Sequence, residues 1–363
     1  MSGQTNRLSW VDTAKGISII LVVMMYSVFN VGQNADGIGI FHYVIGFATP
    51  FRMPEFFLIS GLFLSQVIAR PWRAYADRRV VHYFYFYALW AVIHLVVKIG
   101  LASHQPMEAL GDIAWATIEP YGVLWFIYLL AAFSAVAKLA YDLRAPHWAV
   151  WLLGAAFQMS NVHTGSYLVD QFCAYFVYFY SGYILAPLLF RLVDWASANV
   201  GLALLGLFAY SAINATLVFS PGYAVLPGEI QLGLAGLPGL RLALAILGST
   251  ALCGTAGLIV KLRFMDWLRW LGAHSLIVYL VFVLPMSFIR IALEKLNITH
   301  DVSVLSFAVI VGSIGCAVAL YGLVQWTGRG KFLFERPAWA HLPGTKGSRS
   351  PALPDTTGSV PAE

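Results

Sequence analysis

The chain has 363 residues, of which 60% are hydrophobic and 11% charged. Soluble domains carry about 25% charged residues, so too little polar material is present to cover a water-facing surface. The formal net charge of +5 does not point to nucleic acid, because the basic residues sit in short loops beside apolar runs and read as topology signals. Cys173, Cys253 and Cys316 all lie inside apolar runs. No paired Cys or Cys/His spacing is present, so neither a disulfide framework nor a metal site is expected.

A spanning helix needs about 20 mainly apolar residues, and the runs of that kind predict an all-α membrane bundle of about ten transmembrane helices. In chain order they cover 13–31, 41–69, 80–101, 121–141, 147–162, 166–190, 198–219, 236–260, 268–293 and 303–326. The first is read as an uncleaved span, since Gly32-Gln33-Asn34-Ala35-Asp36 is a poor cleavage site. The second is long for one span and holds Pro50 and Pro54, which predicts a kink, or an interfacial helix followed by a short span. The segment 102–120, with Glu108, Asp112 and Glu119, reads as an interfacial loop.

Cation bias sets orientation. Arg70, Arg73, Arg78 and Arg79 fill one loop, Lys261, Arg263 and Arg269 another, and Arg329, Lys331, Arg336, Lys346 and Arg349 the C-terminal tail. The alternate loops 32–40, 102–120 and 220–235 carry no Lys or Arg. Both termini are therefore expected in the cytoplasm. The membrane domain is assigned to 1–327 and a largely disordered cytoplasmic tail to 328–363, with disorder from about 342 onward. No internal repeat is visible, which weakens a transporter reading based on repeated halves.

Charged residues inside a bilayer are costly and mark function by default. Lys15 and Tyr26 are eleven residues apart on the first span, nearly on one face and about 16 Å apart along the axis. Asp12 joins that face, and a plain interfacial Asp–Lys pair that snorkels explains these charges equally well. Arg52 and Glu55 lie three apart in PFRMPEFFLISG, residues 50–61, a spacing that allows an ion pair across one turn. The alternative is a structural pair at the interface. Arg78 and Arg79 stand at the mouth of the third span, where guanidinium groups suit bidentate phosphate contacts, although positive-inside bias accounts for the same residues. In LRWLGAHSLIVYLVFVLPMSFIR, residues 268–290, Gly272, His274, Ser275 and Tyr279 supply polar groups. A lone histidine there reads more readily as a helix-end residue than as a base. His42, His82, His94 and His163 are scattered and show no metal-ligand spacing. There is no G-x-S-x-G, H-E-x-x-H, Walker A or G-x-G-x-x-G signature.

In order, these segments resemble the acyltransferase 3 family of bacterial integral membrane acyltransferases. VDTAKGISIILVVMMYS, residues 11–27, is similar to its opening pattern, and FRMPEFFLISG, residues 51–61, to its second motif. Arg78 and Arg79 resemble the basic entry of its third span. GVLWFIYLL, residues 122–130, and the L-G-x-x-S-x-x-x-Y-L segment within 271–285 resemble two later motifs. The likeness covers roughly residues 8–327. It implies transfer of an acyl group, commonly acetyl, from cytoplasmic acyl-CoA to a hydroxyl of an extracytoplasmic carbohydrate or other envelope acceptor, in a bacterial inner membrane and among its lipids.

Two positions depart from the family. Its usual histidine near the end of the first span is Tyr26 here, and its usual histidine before Met-Pro is Arg52. A phenol has an ordinary pKa of about 10 and is a poor base near neutrality without a neighbouring cation. Arg52 would serve if it approaches Tyr26. The resemblance thus implies Lys15, Arg78 and Arg79 as holders of the acyl-CoA phosphates. One of Tyr26, His42 or Glu55 takes the acceptor proton, and Arg52 stabilises the oxyanion. The competing readings are a transporter or flippase-like protein binding substrate at Arg52 and Glu55, and a diverged pseudoenzyme.

Overall fold

A computed structural model describes residues 2–102, 111, 115–116, 118–297, 299–345 and 347–348. Most of 102–120, including Glu108 and Asp112, and the tail from 349 to 363 lie outside the described residues. The chain is helical almost throughout, as hydrocarbon demands: every backbone N–H and C=O must find its partner within the segment.

The chain divides into two units. The first comprises Met1–Ser65 and Ala145–Thr327. Its helices are α1 (Ser2–Ala35) and α2 (Ile40–Gly61), and from the second unit it resumes after α3 (Trp72–Ala76), α4 (His82–Ala102) and α5 (Trp125–Asp142). It continues with α6 (His147–Met159), α7 (Tyr167–Ala198), α8 (Val200–Val218) and α9 (Pro238–Ile259). The last four are α10 (Asp266–Ala273), α11 (Ser275–Val281), α12 (Val283–Lys295) and α13 (Val302–Thr327). A short antiparallel hairpin, β1 (Ala224–Leu226) with β2 (Glu229–Gln231), pairs Val225 with Ile230 and turns at Pro227-Gly228.

Among the described residues seven helices are long and apolar enough to cross a bilayer, and the bent pair α11–α12 makes an eighth. This is a helical membrane bundle, with somewhat fewer clear spans than the ten read from the sequence. Two runs fall short. Helix α6 has 13 residues, about 20 Å of helix against a core of about 30 Å. Helix α2 is the one that carries Arg52, Glu55 and both prolines. Its outer neighbours show the membrane character plainly: Leu202, Leu204, Leu205 and Phe208 of α8 are all exposed, a surface that only lipid tails can cover.

Two expectations change in detail. Helix α2 runs unbroken from Ile40 through Pro50 and Pro54 to Gly61, not as an interfacial helix and a separate short span. Pro50 cannot donate to the Gly46 carbonyl one turn back; in the same turn the Asn214 amide of a neighbouring helix donates to the next carbonyl, that of Phe47, at 2.8 Å. The run 268–293 is three helices, broken at His274 and bent by 53° between Val281 and Val283. Pro285 stands in the first turn of α12, where its ring is tolerated while the Val281 carbonyl loses its donor.

Close helix contacts rest on glycine. A Cβ on Gly272 would overlap the Asp12 carbonyl oxygen, and one on Gly16 the Leu268 carbonyl oxygen, so α1 and α10 meet backbone to backbone. Gly61 and Gly182 do the same for α2 and α7, each against the other helix's carbonyls at Phe179 and Leu58. Small residues that admit such approach drive helix association where no hydrophobic effect exists between helices. Two of the quoted motif glycines, Gly61 and Gly272, are therefore packing residues.

The second unit comprises Gln66–Arg144 and Gly328–Glu363. A π-helical turn, Asp77–Val81, joins α3 to α4. The segment 331–342 is tied to this turn and to α4. Arg336 donates to the Asp77 carbonyl at 2.7 Å and to its carboxylate at 2.6 Å, and the Leu342 N–H donates to the same carboxylate at 2.8 Å. Tyr85 and Trp90 donate to the carbonyls of Phe332 and Leu333. This part of the C-terminal segment is thus folded onto the unit.

Candidate functional site

The centre of the first unit is the crossing of α1 and α2. Ser18 and Glu55 are both fully buried, and the Ser18 hydroxyl bonds the Glu55 carboxylate across the two helices. The same hydroxyl lies 2.9 Å from the Ala14 carbonyl one turn back. Glu55 Oε1 is buried with no hydrogen-bond partner among the described residues. Lys15, one turn before Ser18, acts electrostatically on Glu55 while pairing with Asp12 at 3.7 Å. Both members of that pair are about a third exposed, where such pairs contribute little.

Arg52, one turn before Glu55, takes a different direction. It is 7% exposed, and neither Nε nor Nη1 has an acceptor among the described residues. The two charges form no ion pair, contrary to what their spacing allows. The groups acting on the Arg52 charge are the phenols of Tyr175 on α7 and Tyr26 on α1. Tyr26 is half-buried and packs against Phe282, ring centroids 5.7 Å apart. Tyr175 is also half-buried, with its ring 5.2 Å from that of Phe57. The exposed Tyr167, at the start of α7, lies within electrostatic reach of both. Helix α2 therefore has a carboxylate bonded to Ser18 and a buried guanidinium within electrostatic reach of two phenols.

His42 occupies another place. It is fully buried; its Nδ1 accepts the Gly39 N–H at 3.1 Å, and its Nε2 faces the Pro227 carbonyl at 3.2 Å. This pattern requires the proton on Nε2 and commits the Nδ1 lone pair. The ring closes the start of α2 and holds the hairpin turn, and it has no lone pair left for a substrate proton. His274, at the α10–α11 break, donates from Nδ1 to the Trp270 carbonyl at 2.8 Å and stacks on Trp270, centroids 4.3 Å apart. It is a helix-end residue, away from the Glu55 and Arg52 contacts described above.

In the second unit, Arg78 and Arg79 follow Asp77 on the π-helical turn. Arg78 is exposed and Arg79 half-buried. Neither has an ion pair or hydrogen bond among the described residues. The expected cofactor residues thus fall in both units, Lys15 in the first and the two arginines in the second. No group of three or more His, Cys, Asp or Glu able to hold a metal ion occurs among the described residues.

Ser18, Tyr175 and Tyr167 belong to this centre and were not singled out from the sequence. Serine and tyrosine are ordinary in apolar helices, and only the packing of α1 and α7 on α2 reveals them. The available signal was weak: Ser18 lies one helical turn after Lys15, and α7 carries the tyrosine-rich stretch CAYFVYFYSGY.

A family model described as an acyltransferase domain matches residues 8–322, which takes in α1, α2 and every residue of this centre. The chain belongs to the acyltransferase 3 family. It is also similar to the inner membrane protein YcfT of Escherichia coli K12, with 26% identity over 167 residues, 40% of this chain and 47% of that protein. The matched part spans about half the length of that relative. No solved structure matches the chain. The protein is an integral membrane member of an acyltransferase family.

Proposed function

We propose that this acyltransferase moves an acyl group, acetyl by preference, from cytoplasmic acyl-CoA to a hydroxyl of an extracytoplasmic carbohydrate or other envelope acceptor. The observation that carries the reading is the buried pair of ionisable residues on α2, Arg52 with its Nε and Nη1 unsatisfied and Glu55 bonded to Ser18. Buried charge without an ionic partner is expensive, and a fold keeps it where chemistry needs it.

The acceptor oxygen adds to the thioester carbonyl, the carbon–sulfur bond breaks, and an ester and free CoA thiol result. Tyr26 takes the acceptor proton as the new C–O bond forms, and that proton replaces the acyl group on the CoA sulfur. Arg52 supplies the positive charge at the acceptor, in the role that preorganised donors play wherever charge develops. Glu55, fixed by Ser18, is the second proton carrier. His42 keeps the α1–α2 joint closed. Arg78 and Arg79 take the donor's phosphates, and Lys15 adds a cation on α1, one turn before Ser18.

Loop cations support a reading in which both termini lie in the cytoplasm of a bacterial inner membrane. Reporters fused after Arg336 and inside 70–79 are expected to read cytoplasm; an extracytoplasmic signal from either reverses the donor and acceptor sides. The activity itself is tested by incubating purified protein in detergent with radiolabelled acetyl-CoA and an envelope glycan fraction. Label transferred to the glycan supports the proposal. Retention of all label on CoA, by protein shown to be folded, overturns it.

A further inference from the structure

Arg52 poses a question that transfer chemistry alone does not answer. An oxyanion exists only fleetingly, and neutral backbone amides hold one without any permanent charge. A guanidinium that is 7% exposed, with Nε and Nη1 lacking an acceptor among the described residues, keeps a desolvated cation throughout the resting cycle. Such a group is strongly unfavourable unless an anion joins it. The carboxylate on the same helix does not, because Glu55 is engaged by Ser18 and forms no ion pair with Arg52. The ionisable groups that act on Arg52 are two phenols, Tyr175 and Tyr26, which carry no permanent negative charge.

From this we infer that the acceptor is anionic, and that Arg52 binds a carboxylate or phosphate it carries, while Tyr26 addresses its reacting hydroxyl. The guanidinium fork matches either anion in a bidentate way. The half-buried rings of Tyr26 and Tyr175, with Tyr167 exposed beyond them, suit the faces of a sugar or similar ring. The inference rests on the acyltransferase reading, whose acceptor it describes.

The test is equilibrium binding to purified full-length protein in detergent. The probes are methyl β-glucuronide, a glucose phosphate and methyl β-glucoside, which differ in carboxylate, phosphate or neither. Wild type is expected to bind at least one anionic probe about tenfold to a hundredfold more tightly than the neutral one, the usual worth of a charge-assisted hydrogen bond. Whichever anionic probe wins names the source of the charge. Arg52→Gln is expected to abolish the preference and Arg52→Lys to keep part of it, with unfolding temperatures checked for each. Equal binding of all three probes by wild type, which needs no variant, overturns the inference, and so does a preference that survives Arg52→Gln. Loss of CoA binding in Arg52→Gln with acceptor binding intact also overturns it, by assigning the cation to the donor. Transfer to neutral glycans without preference sinks this inference and spares the acyltransferase reading; anion preference without any acyl transfer does the reverse.

Discussion

Arg52 and Glu55 stand three residues apart on one buried helix, yet they form no ion pair: Glu55 is held by Ser18 of α1, and Arg52 Nε and Nη1 are buried with no partner among the described residues. Each charge has its own surroundings, and each can be altered separately.

Ser18→Ala removes the hydrogen bond to a fully buried carboxyl group and is expected to cost about 1–3 kcal/mol of stability. Glu55→Gln keeps a side chain that can still bond Ser18, so it is expected to fold well while losing activity. Thermal unfolding in detergent beside a transfer assay checks both. Full activity in Glu55→Gln leaves the residue a packing role only.

His42 is engaged at both ring nitrogens, by Gly39 and Pro227. His42→Ala is therefore expected to act on stability, by about 1–2 kcal/mol for a lost cap and a lost tertiary bond. Turnover of the folded fraction is expected to stay within a few-fold of wild type. A loss of turnover as large as that from Tyr26→Phe, at unchanged unfolding temperature, returns His42 to the list of bases.

In the second unit, Arg336 and Asp77 form an ion pair at 2.6 Å with both side chains buried. Breaking a buried pair from one side typically costs about 3–5 kcal/mol. Arg336→Ala is expected to lower the unfolding temperature and expose the segment after Gly330 to protease. Unchanged proteolysis there means that the segment is not held by this contact.

Much of the architecture is legible in the sequence because hydrocarbon accepts so few structures: twenty apolar residues in a row have little choice but a helix. Arg52 and Glu55 are legible for the same reason, as charges where charge is costly. Their partners are not. A spacing of three permits an ion pair on an isolated helix, and only the approach of α1 and α7 decides that Ser18 and the phenols claim the two groups instead. His42 likewise reads as a free base from its position, whereas its role depends on the hairpin turn at Pro227, far away in the chain. The single run 268–293 hides two breaks because its composition stays apolar across His274 and Pro285.

Arg78 and Arg79 lack protein partners among the described residues, as phosphate-binding groups would in the absence of ligand. Replacing both by alanine is expected to weaken acyl-CoA binding. The deficit is expected to shrink as salt rises, because screening already reduces the attraction between exposed charges. Equal affinity for wild type and variant at low salt leaves these arginines with only a topological role.

The central claim is that acyl transfer takes place at Tyr26. Its most direct test is the rate of acetyl transfer from acetyl-CoA by wild type and by Tyr26→Phe, with insertion and folding verified for both. Loss of the phenol is expected to cut turnover by about 10²–10⁴-fold, the usual worth of a positioned acid–base group, and Tyr26→His to retain or raise it, since imidazole titrates near neutrality. Wild-type turnover that persists unchanged in Tyr26→Phe would contradict the assignment.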